Sequence, residues 1–158
     1  MAGTDTLFRL AALNTAYASA IDSDRLEEWP GFFVQECLYK ITTAENHRKG
    51  YQAGIVYADS RAMLEDRISA LRRANIYERH GYRHIIGMPL IIAEDAGVIR
   101  AETPFLVIRT MREGQMDVFA TGLYLDQVRA DAAGALRFAE RLVICDSPRF
   151  DTLLAIPL

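Results

Sequence analysis

The chain has 158 residues, 51% hydrophobic and 25% charged, enough apolar material for one buried core and too little length for two comfortable ones. Its 18 Lys and Arg against 21 Asp and Glu leave a formal net charge of -3, so there is no basic footprint for a phosphate backbone and nucleic acid is not an expected partner. The start, Met1-Ala2-Gly3-Thr4-Asp5, lacks the basic residues and apolar run of a secretory signal, and no apolar stretch is long enough to span a bilayer, so a cytoplasmic location is expected.

Residues 1–158 read as a single domain without repeat, low-complexity tract or linker. Thr4 is placed to cap a first helix in which Leu10, Leu13, Asn14, Tyr17, Ala20 and Ile21 recur at helical spacing. Asp24 followed by Glu27 has the spacing of a capping box for a short second helix, which Pro30 should stop after Trp29. Trp29, Phe32 and Phe33 should pack inward. A strand is expected over residues 37–43 and a loop over residues 46–54. Helical spacing resumes at Asp59-Ser60, with Leu64, Ile68 and Leu71 on one face, as far as about Asn75.

From Tyr82 the period changes to two, through β-rich runs at residues 82–94, 98–112, 116–128 and 136–146. Asp95-Ala96-Gly97, Glu113-Gly114-Gln115 and Asp131-Ala132-Ala133-Gly134 supply turn chemistry between them, which makes consecutive antiparallel hairpins. Helices followed by a meander mean an α+β fold, with the helices covering one face of a strongly curved sheet that closes into a cone.

The chemistry-bearing residues are few. His80 and His84 are four apart, but Gly81 and the residues that follow favour a strand, along which such positions lie about 13 Å apart, too far to share a metal. The plainer reading of His84, in phase with Ile86, Met88, Leu90 and Ile92, is a hydrogen-bonded histidine near the base of the sheet. His47 is the one further histidine, and no Cys-x-His pair for an iron–sulfur cluster, phosphate-binding glycine loop or nucleophile elbow occurs. Cys37 and Cys145 read as free, buried thiols. No catalytic, cofactor-binding or metal-binding residue is therefore expected in this chain. Tyr77, Arg79, Tyr82, Arg83 and His84 crowd the point where helix gives way to sheet. Because Arg and Tyr are favoured at subunit contacts, this group is the candidate interface, with Arg83 on the face opposite His84.

The order of parts resembles the small (beta) subunits of Rieske-type aromatic-ring-hydroxylating dioxygenases. The residues that carry it are Tyr17-Ala18-Ser19-Ala20-Ile21-Asp22, Trp29-Pro30-Gly31-Phe32-Phe33, Cys37-Leu38-Tyr39, Asp66-Arg67-Ile68, Tyr82-Arg83-His84 and Arg141-Leu142-Val143-Ile144-Cys145-Asp146. Many family members have an asparagine where this chain has Gly87. Ala53-Gly54-Ile55-Val56-Tyr57-Ala58-Asp59-Ser60 and the apolar segment from Asp151 to Leu158 resemble the members acting on aromatic acids, terephthalate above all, with benzoate and salicylate as relatives.

The resemblance implies the cone fold of nuclear-transport-factor-like proteins and a complex of three large (alpha) and three small subunits served by a reductase. It places the Rieske 2Fe-2S cluster and the mononuclear iron in the large subunit. The same fold also hosts cofactor-free dehydratases and isomerases, for which His84, Asp24 and Tyr39 would have to converge in a cavity, and plain small-ligand binding modules. A cone filled by Trp29, Phe32 and other side chains would favour the subunit reading over both.

Overall fold

The apolar stripe of the first helix turns inward as its spacing predicts. In a computed structural model describing residues 3–74, 79–151 and 154–158, α1 (Thr4–Asp22) buries Leu10, Leu13, Asn14, Tyr17, Ala20 and Ile21. Thr4 does not cap it. Gly3, extended at φ -66° and ψ 151°, holds that position with no side-chain hydrogen bond, and Thr4 is already helical.

The Asp24 and Glu27 capping box is also replaced. Arg72 presents Nε and both Nη groups to the two carboxylates and to the Asp24 main-chain oxygen, at 2.7 to 3.1 Å, a stronger set of partners than one orphan amide. Asp24 takes a left-handed φ of 57°, and Pro30 lies inside a 3-10 segment, Leu26–Phe32, instead of stopping a helix at Trp29.

Strand β1 (Phe33–Thr43) begins earlier than its alternation suggests, and its pairing shifts register between Phe33 and Leu38. The stretch expected as loop starts with a short helix, α2 (Ala44–Arg48), because the Thr43 hydroxyl accepts from the Asn46 N–H at 3.1 Å and caps it. After β2 (Val56–Ala58), α3 (Arg61–Ala74) buries Leu64 and Ile68 as its spacing requires.

The run at residues 82–94 is two strands, β3 (His80–Ile86) and β4 (Leu90–Asp95), both paired with β5 (Val98–Met111). The break is at Gly87, whose N–H donates to Pro104 O at 2.9 Å and where an added Cβ would stand 2.6 Å from Pro104 Cγ. The expected phase from His84 ends there. His84 is buried, whereas Met88, Leu90 and Ile92 are exposed.

Antiparallel hairpins join β5 to β6 (Met116–Ala130) and β6 to β7 (Leu136–Cys145). Sheet order is β2-β1-β7-β6-β5-β3, and β1 runs parallel to β7 with Tyr39 beside Arg141. Inner positions alternate with outer ones along β5 and β6, and α1, the 3-10 segment and α3 close over the inner face.

Candidate functional site

The place to look for chemistry in a cone is its interior, and here side chains occupy it. Trp29, Phe33, Tyr39, Tyr17, Phe138 and Tyr124 are fully buried and pack edge to face, with Trp29 and Tyr39 centroids 5.0 Å apart and Tyr17 and Phe138 5.6 Å apart. Phe105 stacks on Tyr124 at 4.5 Å, and Phe32 lies 5.9 Å from Tyr17. Burial pushes the Tyr17, Tyr39 and Tyr124 hydroxyls above their ordinary values, so they stay protonated; Tyr17 and Tyr39 donate to Leu158 O, while the Tyr124 hydroxyl has no hydrogen-bond partner among the described residues.

Among these rings lies one charge pair. Arg141 and Asp126 face each other across β6 and β7, with no exposed side-chain surface, and meet bidentately at 2.8 and 2.7 Å. Asn14 of α1 accepts from the same guanidinium and donates weakly to Thr103 at 3.4 Å. Tyr124 and Phe138 lie 3.9 Å from the guanidinium carbon and Tyr17 lies 4.4 Å from it, so the cation sits in an aromatic cage. Burial works to discharge Arg141, and the Asp126 carboxylate outweighs it, holding the guanidinium charged.

This pair escaped the sequence reading, although a signal for it exists. Asp126 is in phase with Tyr124 and Val128, and Arg141 with Val143, so each is a charge at a core position of a neighbouring strand.

The groups that a dehydratase would need do not meet. Tyr39 is bonded to the main chain of Leu158, through an O–H to Leu158 O at 2.9 Å and from Leu158 N at 3.1 Å. Asp24 is held on the surface by Arg72. His84 is bonded to Asp22, with Nδ1 2.6 Å from Oδ1 while its main-chain N–H donates to Oδ2 at 2.8 Å. That double contact clamps the end of α1 onto β3.

Of the candidate interface residues, Arg79 and Arg83 are exposed, Tyr82 and His84 are buried, and Tyr77 lies outside the described residues. Arg83 and His84 do face opposite sides of β3. Arg79, His80 and Tyr82 share an open cleft of about 530 Å³ with Asp22, Asp24 and Arg72.

A metal does not fit among the described residues: they hold no group of three His, Cys, Asp or Glu side chains able to bind one. Asp22 already occupies one nitrogen of His84, and His80 lies on the same strand four residues away. The two thiols are free and buried, and burial raises both, Cys145 to about 12, so both stay protonated. Neither a Rieske cluster nor a mononuclear iron is accommodated by these side chains. No helix among the described residues is long and apolar enough to cross a membrane.

A helix-covered cone over a mostly antiparallel sheet is a nuclear-transport-factor-like α+β fold, and its interior here is packed with side chains. The family model for the ring hydroxylating beta subunit matches residues 16–151, and the chain belongs to that family. It is 54% identical to the terephthalate 1,2-dioxygenase terminal oxygenase component subunit beta 1 of Comamonas sp, over 95% of this chain and 97% of that one. The anthranilate 1,2-dioxygenase small subunit of Burkholderia cepacia is 40% identical over 97% of this chain and 94% of its own. Among solved structures, the beta subunit of a proposed aromatic-ring-hydroxylating dioxygenase from Novosphingobium aromaticivorans DSM 12444 superposes with a TM-score of 0.88. It is 36% identical and covers 97% of each chain.

Proposed function

We propose that this chain is the small subunit of a terminal oxygenase that dihydroxylates an aromatic acid, terephthalate or a close relative, and that it holds catalytic large subunits together without contributing a reacting group. The observation that carries the reading is the packed interior. The space where a cone-fold enzyme keeps substrate is taken here by Trp29, Tyr17, Tyr39 and the caged Arg141, while the terephthalate and anthranilate relatives compared above are small or beta subunits of oxygenases. In this reading the Rieske cluster and mononuclear iron belong to the large subunit, a reductase supplies electrons to the complex, and three large and three small subunits assemble.

Among the described residues of the helix-to-sheet cluster, the exposed Arg79 and Arg83 are the ones this reading assigns to the partner, while Tyr82 and His84 of β3 are buried. Arginine suits that task because its planar donor set matches carboxylates and carbonyls.

The test is co-expression with the neighbouring large-subunit gene and purification through a tag on this chain. An iron protein should co-purify in equal amount, the particle mass should fit three of each, and terephthalate should be turned over with reductase only by the complex. Stoichiometric iron or hydroxylation in the isolated chain, or failure to capture any large subunit, would sink the reading.

A further inference from the structure

The helices close the inner face of the sheet, and its outer face carries charges in a definite order. Cross-strand partners share a face, so the pairs Arg83 with Ile108, Ile85 with Leu106, Pro104 with Leu123 and Gln127 with Glu140 trace it from β3 to β7. Arg83 stands at one end. The middle is apolar, with Ile85, Leu90 and Leu123 exposed and Leu106 and Leu125 half-buried. At the other end Glu102, Gln127 and Glu140 line a recess of about 220 Å³ together with Leu125, Leu142 and Ile92.

Neither charged end is used within the chain. Arg83, Glu102 and Glu140 make no side-chain hydrogen bond or ion pair among the described residues. Arg100, which also lines the recess, leans to Asp95 at 3.8 Å. Burial raises the Glu140 carboxyl above its ordinary value, with Asp126 adding to the effect and Lys40 opposing it. A half-buried acid without a counter-charge is costly in the lone chain. The same burial strengthens its attraction for a cation that arrives with a partner.

An apolar strip between opposite charges fits a protein surface with the complementary order. A free cation would make no use of Arg83 or of the strip, and mixed signs do not suit an anionic membrane. A second copy can cover this face with the same face only about a twofold axis. Three large and three small subunits around one threefold axis leave no such axis.

We infer that the outer face of β3, β5, β6 and β7 is where the large subunit docks. An apolar strip of the large subunit lies over Ile85, Leu106 and Leu123, one of its arginines or lysines enters the recess between Glu102 and Glu140, and one of its acidic groups meets Arg83. The inference rests on the reading of this chain as an oxygenase small subunit, and it adds the surface used and the chemistry of what covers it.

The test uses the complex co-expressed with the large subunit and purified through a tag on the small one. With the photo-crosslinking residue p-benzoylphenylalanine in place of Leu123, irradiation should join the small chain to the large one. Placed at Phe8, exposed on α1 on the far side of the sheet, the same residue should not. Leu123→Asp, and Glu102→Lys combined with Glu140→Lys, should each lower the large subunit recovered per tagged chain at least about tenfold, as loss of central contacts does. Phe8→Asp should recover it as the parent does. Should a charge variant fail to fold, the crosslink from Leu123 decides alone.

Two failures are told apart by the parent chain. If the parent captures the large subunit while Leu123 crosslinks to a second small subunit or to nothing, or while the folded variants capture it undiminished, the docking face is wrong and the small-subunit reading stands. If the parent captures no large subunit, that reading falls and this inference falls with it.

Discussion

The two faces of the same strands differ sharply in how complete they are. On the inner face β5 and β6 bury Phe105, Val107, Tyr124 and Val128, Asp126 pairs with Arg141 and Thr103 accepts from Asn14, which leaves Arg141 Nη1 and the Tyr124 hydroxyl as the groups of this set without a hydrogen-bond partner among the described residues. On the outer face Ile85, Leu90, Ile92, Val118 and Leu123 are exposed, and no helix or strand among the described residues covers them. Alternation alone generates both faces, so the difference lies in what was built over them. The inner face closes on the chain's own helices, while the outer one carries more apolar side chains than an isolated surface needs, as expected of a protein that works in a complex.

The sharpest way to break this contrast is to spoil the completed side. Arg141→Met leaves Asp126 buried and unpaired, and thermal or urea unfolding should show a loss of about 3–5 kcal/mol, most of it recovered when Asp126→Leu is added. If the single variant is as stable as the parent, the pair does not hold the interior.

Gly122 comes next. A Cβ there would stand 1.9 Å from Ile144 O, so Gly122→Ala must push β6 away from β7. A cost of about 3 kcal/mol is expected in the same unfolding measurement, at the upper end of overpacking effects.

Arg83 tests the unfinished side. Arg83→Ala should leave the melting temperature of the isolated chain unchanged and weaken association with the large subunit by about 1.5–3 kcal/mol, read by titration calorimetry. A lower melting temperature with unaltered affinity would make Arg83 internal scaffolding instead.

The smallest effect concerns the rim, where Arg109 holds the Asp151 carboxyl below its ordinary value by hydrogen bonding. A depressed carboxylate contributes stability that is present above its unfolded pKa and lost as pH falls through the folded one. The urea midpoint should therefore drop below about pH 4, and Asp151→Asn should flatten that part of the profile. The change should be small because Asp151 is 62% exposed and its ion pair is screened.

Much of this contrast was legible in the sequence, because periodicity reports which residues share a face. The inward stripe of α1, the Leu64 and Ile68 face of α3 and the final three hairpin strands all follow from spacing. What escaped depends on contacts between distant segments. Gly87 looks like one more position in an alternating run until Pro104 crosses it, and Asp24 with Glu27 looks like a helix cap until Arg72 claims both. The candidate interface was legible in part. Alternation separates Arg83 from His84, but it cannot show that Tyr82 and His84 are used internally, since Asp22 reaches His84 from a different element.

The parallel pairing of β1 with β7 sets the order in which the protein can form. Strand β1 leaves the ribosome early, yet the neighbour that supplies most of its ladder is the last strand to be made. Until then β1 has only the three-residue β2 beside it and shows an open edge bearing Tyr39 and Ile41. The meander from β4 to β7 needs only local turns, so it assembles first, and closure between the two ends of the chain is the slow event because its loop entropy is met before its contacts form. Pulse-labelled hydrogen exchange should find β5 and β6 amides protected before those of β1. During that interval the chain is most exposed to aggregation, and variants that slow the last closure should be recovered in lower yield even when their final stability is unchanged.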